Sequence, residues 1–139
     1  MAEAPFQNQP LLTPEQLESR LGEFYNAVDE FNHGWYFESH ETLEDLWMVT
    51  PWPERQFFQG IIQLAAAFVH FARREYAGIF KLLDAASDKL REFEPGRFDI
   101  DVTALLSEVG AVRGELESLG PDGFVGWDEA RRPVIRRRS

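Results

Sequence analysis

Apolar residues recur at three- and four-residue intervals in successive runs along this chain, and each run predicts a helix. Leu17, Leu21, Phe24, Val28 and Phe31 make one stripe. Thr13 is placed as its N-cap, Pro14 as its first residue and Gln16 as the partner that closes a capping box. Gly34 ends that helix, and a second runs from about Trp35 to Met48. The prolines of "TPWP" forbid continuation. A third helix opens at Pro53-Glu54 and carries "RQFFQGIIQLAAAFVHFARRE", apolar around most of its circumference, so it must be central and covered by its neighbours.

Ile79, Leu82, Leu83, Ala86, Leu90 and Phe93 give a fourth helix an amphipathic face. After "EPGRFDID", Asp101 caps a fifth, with Leu105, Leu106, Val109, Val112, Leu116 and Leu119 at helical spacing, and Gly120-Pro121 stop it. No segment alternates as a strand does. The expected fold is all-α, an antiparallel helical bundle of about five helices. Residues 1–12 read as extended or disordered, 13–120 as one bundle domain, and 121–139 as a loop and arginine-rich tail.

Composition narrows the function classes. A chain of 139 residues, 44% apolar, fits one domain with one core. Without cysteine it has neither disulfides nor thiolate metal sites. "MAEAPFQNQP" is no signal peptide, and "GIIQLAAAFVHFA" is too short to span a bilayer, so a cytoplasmic protein without a membrane partner is expected. A net charge of −10 disfavours nucleic acid. The tail "EARRPVIRRRS" opposes that charge: it reads as a flexible terminus folding back on the acidic body, or as a dock for an acidic partner. A homodimer is an open alternative, since apolar helix faces serve cores and interfaces alike.

The chemistry-bearing residues lie on two helices. At about 100° per residue, Tyr36, Leu43 and Trp47 share a line, His40 falls roughly 40° from it and Glu44 roughly 80°, while Glu38 and Asp45 point away. Gln59, Gln63 and His70 form a polar stripe on the third helix. Buried polar groups need partners, so His40, Glu44, Gln59, Gln63 and His70 are expected to form one interior or cleft network roofed by Trp47.

These segments also carry a resemblance. "FNHGWYFESHETLEDLW", followed by "FFQGIIQLAAAFVH", resembles the prokaryotic domain of unknown function 309 family over about residues 24–93. The matching positions are Phe31, Asn32, Gly34, Tyr36, Phe37, Glu38, His40, Glu41, Glu44, Trp47, Gln59, Gly60 and Gln63. The resemblance implies a compact bundle with a three-helix core and a metal-dependent hydrolase described by motif. In that reading His40 and Glu44, one turn apart, and His70 ligate a divalent metal such as zinc, manganese or iron, and Glu41 serves as base. Glu41 points about 100° from His40, which counts against that role. Three functions are therefore open: a non-catalytic domain whose polar cluster is structural or lines a small pocket, a metal-dependent hydrolase, and a partner-binding helical module.

Overall fold

The computed structural model describes residues 10–138, so most of the expected extended start lies outside the described residues. The Leu12 amide donates to the Val49 carbonyl at 2.9 Å, which ties the chain's entry to the end of the second predicted helix. The capping box forms as expected: the Thr13 amide donates to Gln16 Oε1 and the Gln16 amide to Thr13 Oγ1. The first helix is broken in two, α1 (Pro14–Ser19) and α2 (Leu21–Asn32). Two local features accompany the break. The Ser19 hydroxyl donates to the Gln16 carbonyl, competing with helical bonding, and Arg20 leaves helical geometry with its guanidinium on Glu23.

Gly34 stands at φ +82°, in the left-handed region where it was expected to end a helix. Then come α3 (Tyr36–Val49), α4 (Glu54–Ala72), α5 (Tyr76–Leu90) and α6 (Val102–Gly123). The helix α4 is the central one, packed against α3 and α5, and α2 lies against α3 and meets α4 through Phe24 and Phe31. Phe57, Phe58, Ile61, Leu64, Ala65 and Ala67 are wholly buried along it. Gly60 explains the close approach of α5, since a Cβ there would lie 2.9 Å from Leu90 Cγ. Asp101 accepts from the Ala104 amide and caps α6, and Gly120 at φ +73° interrupts that helix where Gly120-Pro121 was expected to stop it. Among the described residues no helix is long and apolar enough to cross a membrane.

A two-stranded hairpin was not expected. β1 (Gly96–Arg97) and β2 (Ile100–Asp101) pair antiparallel through the two-residue loop Phe98-Asp99, both at positive φ as this kind of turn requires. Phe98 tolerates that conformation poorly, but its ring lies 5.5–6.1 Å from those of Phe24, Phe57 and Phe58, so core packing offsets the strain. Strands of two residues are too short to show alternation.

The C-terminal segment packs into the body. Phe124, Trp127 and Ile135 are buried with the core. The Asp101 amide donates to the Arg136 carbonyl and the Arg138 amide to the Asp99 carbonyl, both at 2.8 Å. The arginines meet body acids: Arg131 holds Glu115, Arg136 holds Glu108, and Arg137 lies over the Tyr25 ring at 3.8 Å. Arg131, and then the Trp127 indole N–H, hold the Glu115 carboxyl down at about 2. Its ordinary value is 4.5, so the stability this contact lends is complete above that pH and is lost as pH falls toward 2. Acid titration followed by the Trp127 indole proton should show a shift in that window that Glu115→Gln abolishes. The midpoint should lie near 2, and one at the ordinary 4.5 contradicts the linkage.

Candidate functional site

The buried line of α3 runs through Ser39, Leu43 and Leu46. Ser39 can occupy a core position because its hydroxyl donates to the Ala27 carbonyl of α2 at 2.7 Å, and its small volume lets the two helices approach. Tyr36 and Trp47 are therefore shoulders of the helix. His40 lies roughly 90° and Glu44 roughly 130° from the line's centre. The expected interior network of His40, Glu44, Gln59, Gln63 and His70 is consequently not formed. A core line through Tyr36, Leu43 and Trp47 differs from the observed one by a rotation of about 50°, which draws His40 and Glu44 inward.

His40 Nδ1 and Glu44 Oε2 are 3.5 Å apart, with side chains 31% and 47% exposed, an ion-pair separation at the surface. His70 Nδ1 is 3.0 Å from Glu75 Oε1 but poorly aligned for a hydrogen bond. Its imidazole lies over Gly78, where a Cβ would come within 2.8 Å of Nδ1. Glu41 and Glu38 are exposed. Gln59 and Gln63 are half-buried on α4, and Gln63 Oε1 has no partner among the described residues. The Arg55 guanidinium sits 4.3 Å from the centre of the half-buried Trp47 ring.

These placements do not fit the metal that the resemblance implied. A zinc ligand set needs imidazole nitrogens about 2.0–2.1 Å from one point and about three protein donors. Here His40 and His70 each face a separate carboxylate, and among the described residues no three His, Asp or Glu side chains stand close enough to share an ion. The structure does bring His40 and His70 to one recess of about 210 Å³ between α3 and α4, lined by Phe37, His40, Ala66, Val69, His70 and Arg73. Arg73 was not singled out from the sequence, although it follows His70 by three residues and so shares its face.

The remaining motif residues act elsewhere. The Asn32 carboxamide donates to the Ile135 carbonyl at 2.9 Å and accepts from the Ile135 amide at 2.8 Å, so it clasps the C-terminal segment as a neighbouring strand would. Gly34 lies under the Arg132 guanidinium, whose nearest atoms would be 3.1 Å from a Cβ. A wider groove of about 700 Å³ runs along α6, but its charged groups are already engaged: Glu115 with Arg131, and Asp128 with the Ala130 amide.

Two comparisons with known proteins match part of this chain. A family model described as Domain of unknown function (DUF309) matches residues 24–82. The chain is also 43% identical over 71 residues to the uncharacterized protein YpuF of Bacillus subtilis (strain 168), an alignment covering 50% of this chain and 37% of that relative. The chain thus spans little more than a third of that protein. No solved structure matches. Phe24 through Leu82, the stretch that holds Asn32, His40, Glu44 and His70, is a DUF309 domain, and the chain is a distant homologue of YpuF.

Proposed function

We propose that this protein is a non-catalytic binding domain whose α3–α4 recess holds a small anion with an apolar body, a phosphate or carboxylate on an aromatic or acyl group. One observation carries the reading. In a chain of net charge −10, the polar side chains lining the recess are His40, His70 and Arg73, and no carboxylate is among the lining residues. Glu44 and Glu75 stand beside the Nδ1 atoms of the two imidazoles, so a ligand in the recess would meet the other ring nitrogen. Ala66, Val69 and the half-exposed Phe37 supply apolar contact for the ligand's body.

The test uses phenyl phosphate as probe and the histidine ring protons as reporters. Phenyl phosphate should shift both His40 and His70 saturably and more strongly than inorganic phosphate, and benzylamine should leave them unmoved. His40→Ala and Arg73→Ala should each weaken binding about fivefold, the value of one partly exposed ion pair. Saturation by benzylamine, or undiminished affinity in both variants, sinks the proposal.

A further inference from the structure

A second recess is built by different residues. The turn before α3, the C-terminal half of α4 and the segment 127–132 enclose about 110 Å³, lined by Gly34, Tyr36, Phe68, Phe71, Ala72, Trp127, Glu129 and Arg132. Three features set its chemistry. The Tyr36 hydroxyl is shielded from solvent and has no hydrogen-bond partner among the described residues. Its ring cannot swing away, being edge-on to Phe31 and stacked on Phe68, each at 5.0 Å between centroids. Burial pushes the phenol up to about 12, so it keeps its proton and stays a hydrogen-bond donor throughout the physiological range.

The Arg132 guanidinium, laid over Gly34, makes no ion pair with any described residue. This sets it apart from Arg131 and Arg136, which hold Glu115 and Glu108. Glu129, one helical turn before Arg132, brings a carboxylate to the same lining. Donors for an anion, one acceptor for a cation and a wall of three aromatic rings therefore share one small space.

We propose that this recess binds a small zwitterionic α-amino acid: the carboxylate between the Tyr36 hydroxyl and the Arg132 guanidinium, the ammonium toward Glu129, and the side chain against Phe71 and Trp127. A simple anion would be repelled by Glu129 and a simple cation by Arg132, whereas a zwitterion satisfies both. The Trp127 ring adds attraction for the ammonium. The volume equals that of about four liquid waters, room for glycine or alanine and too little for a branched side chain.

The full chain, labelled with ¹⁵N, is titrated with L-alanine, glycine, acetate, methylammonium and L-leucine. Alanine and glycine should shift the Gly34 amide and the Trp127 indole saturably, acetate and methylammonium should bind at least about tenfold more weakly, as befits loss of a charge-assisted partner, and leucine should not saturate. Tyr36→Phe removes an oxygen that no protein group needs, so its thermal midpoint should hold while alanine affinity falls about tenfold. Arg132→Gln should lose affinity likewise, and His40→Ala, at the other recess, should retain it. Acetate binding as tightly as alanine, wild-type affinity in Tyr36→Phe, or no saturation by either amino acid overturns the proposal.

Discussion

Phe24→Ala should lower the unfolding free energy by about 3–5 kcal/mol, the cost of emptying a large aromatic site in a packed core. Phe24 is wholly buried, and its ring centroid lies 5.3–5.8 Å from those of Phe57, Phe58 and Tyr25 and 6.1 Å from that of Phe98. The last contact makes the effect larger than local. Phe98 holds a left-handed φ of +47° and is kept there by its ring neighbours, so a cavity at Phe24 also loosens the hairpin and the segment bridged to it. Against a total stability of about 5–15 kcal/mol, the variant is at the edge of folding. Urea unfolding measures the loss, and Phe24→Leu, which refills most of the volume, should recover more than half of it. A loss in Phe24→Ala below about 2 kcal/mol would show that the aromatic cluster does not organise the core.

Asn32→Ala should cost about 2–3 kcal/mol, because it leaves the amide and carbonyl of the buried Ile135 without partners. The loss should be focused on one segment. Trypsin should cut the variant after Arg131 and Arg136 faster than it cuts the parent, since the clasp no longer restrains that stretch. Asn32→Asp is a sharper probe: it keeps the acceptor for the Ile135 amide but turns a carboxylate toward the Ile135 carbonyl, and it should be about as damaging as alanine. If either variant matches the parent in both stability and cleavage, Asn32 does not hold the segment.

The helices were legible because each advertises itself locally. Thr13 and Gln16 form a capping box, Gly34 and Gly120 end runs at positive φ, and the apolar circumference of α4 makes it central. The angular setting of α3 was not legible. It depends on Ser39, a small polar residue whose burial is licensed by a carbonyl on another helix, and spacing on one helix cannot reveal that partner. A serine in register with Leu43 and Leu46 was the available signal, and the more hydrophobic Tyr36 and Trp47 outweighed it.

The same limitation governed the site. His40 and His70 are expected neighbours from their helix faces, and they do share a recess, but Glu75 beside His70 and the glycine at position 78 that gives its ring room lie beyond the periodic stretch of the third predicted helix. The role of Asn32 was hidden for a different reason. Its partner is 103 positions further along the chain, and an amide clasping backbone leaves no side-chain pattern at the far end. The arginines of the C-terminal segment were conspicuous for their charge, while Trp127 and Ile135, which place that segment in the core, were not.

That clasp separates two units that are easily taken for one. The stretch matched as a recurring domain ends at residue 82, yet the faces it presents are closed by Leu105, Val109, Leu116, Trp127 and Ile135, all beyond that boundary and all buried. The piece that recurs is therefore shorter than the piece that folds. A fragment trimmed to the family boundary would expose the sides of α4 and α5 that α6 and the final segment cover, and would leave Asn32 without its backbone partner. For this architecture a sensible cut is set by where the core is covered, and the segment through Arg138, which bonds to the hairpin, belongs inside it.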